Sequence, residues 1–212
     1  MAERLTLTGY RYSVYTRIVR IALIEMGLSA TYAEVDPFTD PPDPRLLALN
    51  PMAQVPVLRD GEFVLTQTAA ILRHLQRISG APVVPDGARA QARMDQVIGL
   101  LDTSGYLPMV REVFDAAVFA AFEGRASDPQ RIAEGCAAAA PVLEVLEAIT
   151  AEGLVLTGRM TLADMYLLPM LACFTAAPEG YAAVQNYPAL ARYWQRRCAR
   201  PSLVATDPFG KG

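Results

Sequence analysis

Apolar and polar residues alternate over Arg4-Leu5-Thr6-Leu7-Thr8, the two-residue period of a half-buried strand. Val19, Ala22, Leu23 and Met26 then recur at helical spacing, and Gly27 supplies a C-terminal stop. Thr31 to Val35 predicts a second strand, giving a parallel pair joined by a right-handed crossover. The proline-rich stretch Asp36 to Pro44 is a loop, and Arg45 to Leu49 is one short helical turn. Val55-Pro56-Val57-Leu58 is an apolar run, Asp60-Gly61 a hairpin turn, and Phe63-Val64-Leu65 the return strand. Thr66 and Gln67 open a helix with Ile71, Leu75 and Ile78 on one face.

Residues 80–87 (GAPVVPDG) are turn-rich and read as a linker, dividing the chain into units at 1–79 and 88–212. Nearly everything beyond is helical in pattern. Ala88 to Glu123 holds one or two helices, bent at Gly105 and Pro108. Ser127-Asp128-Pro129 starts an alanine-rich helix running towards Glu152. Thr161-Leu162-Ala163-Asp164 is a capping box ahead of the apolar run Met165 to Phe174. Tyr187-Pro188 opens a last helix with Leu190, Tyr193 and Trp194 turned inward.

Composition narrows the class. With 212 residues, 52% of them hydrophobic and 19% charged, the chain suits a well-packed globular protein. A net charge of −3 without a basic cluster argues against nucleic acid, and no apolar run is long enough for a bilayer. Three scattered cysteines (Cys136, Cys173, Cys198) predict reduced thiols, a cytoplasmic setting and no metal framework. The single histidine, His74, excludes a multi-histidine metal site and reads as a packing or surface residue.

Pro56 stands at a strand start, where proline marks an edge. A cis Val55–Pro56 bond would turn the Val55 amide and carbonyl towards a peptide-like ligand; an ordinary trans edge proline is the alternative. The series Asn50-Pro51, Gln54-Val55-Pro56-Val57-Leu58, Gly61, Leu65, Gln67-Thr68, Ala70-Ile71 resembles the glutathione-binding half of the soluble (cytosolic) glutathione transferases. Their pattern is N-P-x-G-x-V-P-x-L, a turn, then L-x-[EQ]-[ST]-x-A-I; Ala53 replaces its usual glycine and Thr68 its usual serine. Aligning Arg17-Ile18-Val19-Arg20-Ile21-Ala22-Leu23 with the family's R-x-V-R-x-A-L helix puts Ser13 at the position used by zeta-like members, and the resemblance is to the bacterial serine-type, zeta/theta-like branch. The resemblance implies α/β plus all-α architecture: a thioredoxin-like domain (β-α-β-α-β-β-α) followed by a helical bundle supplying an electrophile pocket. It also implies a cytoplasmic homodimer acting in detoxification.

A thioredoxin would carry Cys-x-x-Cys after its first strand, whereas this chain has Tyr12-Ser13-Val14-Tyr15, so dithiol chemistry by its own sulfurs is excluded. The co-substrate implied by the resemblance is glutathione, with no metal. Its thiol, near pKa ~8.5, is mostly protonated at neutral pH, and a hydroxyl donor near a helix N-terminus favours the thiolate. Ser13 is the candidate donor or merely a helix cap, with Tyr12 and Tyr15 as rivals. Zeta-like members carry Ser-Ser-Cys where this chain has Ser13-Val14-Tyr15, which tells against zeta-type isomerisation of maleyl compounds. Val55 and Pro56 would pair with the glutathione backbone, and Gln67 and Thr68 would hold its glutamyl end at a helix start. Gln54 either reaches the glycyl carboxylate or is a solvated loop residue. Arg17 and Arg20 are structural, or lie at a subunit contact. Tyr106, Met109, Val110 and Phe114 form an apolar stripe that is either core or wall of the electrophile pocket.

The resulting expectation is an enzyme that activates glutathione as thiolate for attack on a small hydrophobic electrophile. The alternatives are a non-catalytic glutathione-binding relative, or a glutathione-dependent isomerase, lyase or peroxidase using the same site.

Overall fold

The computed structural model describes residues 5–210. The chain divides into two compact units, one running to Pro82 and regaining the segment from Pro201 onward, the other Val83–Arg200.

The first unit is built on four strands: β1 (Leu5–Gly9), β2 (Thr31–Glu34), β3 (Val57–Asp60) and β4 (Phe63–Leu65), in the order β2-β1-β3-β4. Its helices are α1 (Val14–Glu25), α2 (Pro44–Leu49) and α3 (Thr68–Ser79). The alternation in β1 buries Leu5 and Leu7; Arg4, which the sequence assigns to this strand, lies outside the described residues. β1 runs parallel to β2 and antiparallel to β3, and β3 is antiparallel to β4. α1 buries Val19, Ala22 and Leu23 as its spacing predicts, and Gly27 follows with a left-handed φ of 65°.

α3 corrects one expectation. Its buried arc is Thr68, Ile71, Leu72 and Leu75, while Ile78, in the last turn, is 43% exposed.

In the second unit, α4 (Ala88–Leu100) continues through Leu101–Gly105 and Leu107–Phe119 before a closing turn, α5 (Ala120–Phe122). Over those two stretches the helix widens to i→i+5 bonding: the Tyr106 amide donates to the Leu101 carbonyl, and the Ala120 amide to Asp115. Pro108 supplies a reason, since it lacks an N–H and its ring would strike the Ser104 carbonyl in a regular α-turn. α6 (Pro129–Glu152) starts at an Asp128 cap and stops at Gly153. A side chain at Gly135 of α6 would meet Val113 at 2.8 Å and the Pro108 carbonyl at 3.2 Å, so glycine permits this close helix crossing.

α7 (Leu162–Ala176), α8 (Pro178–Gln185) and α9 (Pro188–Arg197) complete the unit. The capping box of α7 is a buried network. The Thr161 amide and hydroxyl donate to Asp164 Oδ2 at 2.8 and 2.6 Å, and the Tyr193 hydroxyl donates to Oδ1 at 2.9 Å. Burial pushes the Asp164 carboxyl above its ordinary pKa, against these hydrogen bonds.

Two helices escape the sequence reading. One is α8. The other is α10 (Pro201–Ala205), which follows the helix read as last and packs in the first unit, against α1. Among the described residues no single helix is long and apolar enough to cross a membrane.

Candidate functional site

Strand register brings the predicted residues to one edge of the first unit's sheet. Leu65, Leu58 and Leu7 lie side by side across β4, β3 and β1, with Val57 beside Thr8 in the next row. β4 and β1 both leave the sheet at this edge and β3 enters there. The turn to Ser13, the segment Val55-Pro56 and the junction Gln67-Thr68 therefore share one end of the sheet.

Ser13 is set by a short chain of contacts. Its amide donates to the Tyr10 carbonyl at 2.9 Å, closing the turn after β1. The Tyr10 amide donates to the hydroxyl of Thr16, a fully buried residue in the first turn of α1. Gly9 leaves room for Thr16: a Cβ there would meet the Thr16 hydroxyl at 2.9 Å and its methyl closer still. The Ser13 backbone is extended (φ −73°, ψ 121°), and its half-buried Oγ accepts from the Thr16 amide at 3.3 Å. So Ser13 does cap α1. A hydroxyl that accepts keeps its proton to donate, so the cap and a contact to a thiolate are compatible.

Tyr12 and Tyr15 are placed differently. The Tyr12 ring meets Tyr10 edge to face at 5.4 Å and tilts against Phe209 at 5.6 Å. Tyr15 is half-buried, two residues further along the chain within α1.

The Val55–Pro56 bond is cis. Pro56 is buried, one residue before the first described ladder pair, Thr8 with Val57, and Val55 before it is half-buried. Asn50 holds the preceding loop: its Nδ2 donates to the Gln54 carbonyl at 2.8 Å and its Oδ1 accepts from the Met52 amide at 3.1 Å. Ala53 has φ 50°, the left-handed region that glycine enters most readily. Gln54 is exposed.

At the start of α3, Gln67 is exposed with φ 68° and ψ 113°, and it makes no side-chain cap. Thr68 is buried beside it. First-turn amides without a side-chain cap, at the positive end of a helix dipole, suit an anion.

The apolar stripe belongs to the second unit. Met109 has no exposed surface and Val110 and Phe114 are nearly as buried, while Tyr106 is half-buried. Burial raises the Tyr106 phenol's pKa, opposed by Arg111. Arg17 proves structural: it is buried, donating to the Leu203 carbonyl at 2.9 Å and the Thr206 hydroxyl at 3.4 Å. Arg20 lies over the Tyr32 ring, and His74 Nε2 is 2.9 Å from Asp60 Oδ2. Tyr10 and Phe38, whose rings meet, and Phe209, whose ring meets Tyr12, are not singled out by the sequence. Only Tyr10 carried a local signal, its place in the turn to Ser13.

A thioredoxin-like unit without cysteines, with a hydroxyl at one helix start and no side-chain cap at a second, joined to a helical unit, sets the chain apart from the dithiol members of that fold. Comparison makes this specific. The pattern described as "Glutathione S-transferase, N-terminal domain" matches residues 12–78, and "Glutathione S-transferase, C-terminal domain" matches residues 112–201. Glutathione S-transferase 4 of Zea mays is 31% identical over 206 residues, covering 95% of this chain and 91% of the plant protein. Glutathione S-transferase theta-1 of Homo sapiens is 31% identical over 152 residues, 70% of this chain and 62% of the human one. The solved structure of a glutathione S-transferase III in apo form aligns with a TM-score of 0.82 at 27% identity, covering 95% of this chain and 94% of that one. The chain belongs to the glutathione S-transferase family, and its reaction is glutathione conjugation.

Proposed function

We propose that Ser13 is the catalytic hydroxyl, donating to the glutathione sulfur and stabilising it as thiolate. The observation that carries this is the sheet edge shared by Ser13, Val55 and Gln67. Glutathione lies along that edge. Its peptide backbone pairs with Val55 beside Pro56, its glutamyl end sits at the α3 start with Gln67 and Thr68, and Gln54 reaches its glycyl carboxylate. Each unit by which the thiol pKa falls is worth about 1.4 kcal/mol of preference for the thiolate. The thiol proton leaves to solvent. The sulfur then attacks an electrophilic carbon, a C–S bond forms, and the leaving group departs with its electron pair. Tyr12 and Tyr15 flank this donor and are not assigned the proton contact.

In this reading the unit read as residues 1–79 binds glutathione, and the helical unit read as 88–212 supplies part of an apolar electrophile pocket. Tyr106, Met109, Val110 and Phe114, the first half-buried and the others buried, form the stripe we assign to its wall. The subgroup reading, serine-type and zeta/theta-like, rests on the α1 motif. The theta-1 likeness supports it, while the Zea mays relative matches over more of the chain. A homodimer is the assembly we infer: Phe63 (54% exposed) and Val64 on edge strand β4, and Ile78 on α3, leave apolar surface exposed on the first unit. Sedimentation at micromolar concentration measures that directly. A cytoplasmic setting fits the three free cysteines.

The test is Ser13→Ala. Removing a preorganised donor is expected to lower kcat/KM roughly 10²- to 10³-fold. Calorimetric glutathione affinity should change by less than about threefold, and the bound thiol's pKa, read from thiolate absorbance, should rise. Ser13→Thr, which keeps a hydroxyl, should recover part of the rate. Equal losses in rate and affinity would reduce Ser13 to a binding contact.

A further inference from the structure

Arg17 holds a charge in an unfavourable place. It stands one turn after Ser13 in α1, its amide donating to the Ser13 carbonyl at 2.9 Å, and it is only 7% exposed. A cation near a helix N-terminus opposes the helix dipole, and burial adds a cost unless its donors are met. A long apolar side chain there would meet neither cost.

The donors are met by α10. Arg17 Nη2 donates to the Leu203 carbonyl at 2.9 Å and Nε to the Thr206 hydroxyl at 3.4 Å. The Thr206 hydroxyl in turn donates to the Ser202 carbonyl at 2.8 Å. Leu203 is in the last turn of α10, where carbonyls suit a cation. At the opposite end of α1 the Ser202 hydroxyl donates to Glu25. The helix α10 thus grips α1 twice, at its last residue and beside its first turn. Two of the contacts that orient Ser13 come from that first turn. The Thr16 amide bonds its Oγ at 3.3 Å, and the Arg17 amide bonds its carbonyl.

We propose that Arg17 is a positioning residue for the reaction: its grip on α10 fixes the first turn of α1, and with it the aim of the Ser13 hydroxyl. The proposal rests on the reading of Ser13 as the thiol's hydrogen-bond partner. It needs no contact between Arg17 and either substrate. A donor works by being held in place before the charge develops, so a small shift of the turn weakens it although every catalytic atom is still present.

The test reads the pKa of bound glutathione from thiolate absorbance, and kcat with dinitrochlorobenzene, on the whole chain at a temperature where each variant is folded. Arg17→Met keeps the apolar stem and loses both donors. It should raise the bound thiol's pKa by about one unit and lower kcat roughly 10- to 100-fold. The KM for glutathione should stay within about twofold of wild type. Thr206→Val leaves the guanidinium charge and removes one of its anchors, and should raise the thiol pKa about half as far. Ser202→Ala cuts the grip at the far end of α1; it should lower the Tm and leave the thiol pKa alone. An unmoved thiol pKa in Arg17→Met overturns the proposal, whatever happens to stability or rate. So does an unmoved value in Thr206→Val, which would assign the effect to charge alone, or an equal rise in Ser202→Ala. Should Arg17→Met not fold, Thr206→Val decides. Failure of the thiol reading looks different: Ser13→Ala would then leave the bound thiol's pKa at its wild-type value.

Discussion

The helix α1 begins at a serine with ordinary extended backbone, whose hydroxyl already accepts from Thr16. The helix α3, starting at the same edge of the sheet, begins at Gln67 with φ 68° and no side-chain cap. One start is satisfied from within. The other holds a sparsely populated backbone conformation that costs about 1–3 kcal/mol and persists only where its surroundings impose it. The contrast fits a division of labour in which α1 aims a proton donor and α3 offers bare amides to a carboxylate. It also separates two sources of precision: tight packing behind Ser13, and strain at Gln67.

Filling the space behind Ser13 should produce the larger effect. In Gly9→Ala the new methyl meets the buried Thr16 side chain, which also receives the Tyr10 amide. Overpacking of this kind costs about 1–3 kcal/mol, and we expect the upper half of that range because the obstacle is β-branched and fully buried. Denaturant unfolding gives the stability. Activity should fall further than stability alone explains, since the turn that places Ser13 must shift. A loss under about 0.5 kcal/mol with full activity would mean that Thr16 moves aside freely and does not set the Ser13 position.

Relieving the strain at the other start should move stability the opposite way. Gln67→Gly removes the steric cost of φ 68° but adds chain entropy of roughly 0.5–1 kcal/mol to the unfolded state. A net gain of about 1 kcal/mol in stability is expected. The same change deletes the side-chain amide, so glutathione affinity should fall roughly three- to tenfold, the worth of one hydrogen bond. Calorimetry and thermal unfolding on one preparation test both directions. If glycine weakens the fold, the strain assigned to Gln67 is not there.

Much of this edge was legible because its signals are local. An Asp-Gly turn and a serine between a strand and a helix each announce their conformation within a few residues, whereas the proline at a strand start marks the edge but leaves cis and trans open. The capping box at Thr161 is of the same kind, and the structure buries it as a network around Asp164. What stayed hidden depends on distant partners. Nothing near Arg17 tells that its guanidinium bonds a carbonyl 186 residues away, so the return of α10 to the first unit could not be read. The helix α8 was missed because Pro178 and Gly180 look like breakers. Proline is welcome at a first helical position, and a side chain at Gly180 would strike the Phe174 carbonyl. Ile78 satisfied the helical period as well as Leu72 did. Periodicity names a face but does not say how far along it the covering layer extends.

The smallest effect tests whether strain at this edge is costly everywhere. Ala53 also has a left-handed φ, at the position where the sequence resemblance leads one to expect glycine. Unlike the exposed Gln67, it packs against the small core of Val35, Leu46 and Val57. Ala53→Gly relieves about 1–2 kcal/mol of backbone cost. Against that stand roughly 0.5–1 kcal/mol of added chain entropy and about 0.8 kcal/mol for the lost methyl. Stability should therefore stay within about 0.5 kcal/mol of wild type, with glutathione affinity unchanged. A gain of the size expected for Gln67→Gly would show that the Ala53 methyl contributes nothing to its core. The two positive-φ residues would then be equivalent, and the strain at Gln67 would lend no support to the glutamyl-binding role proposed for it.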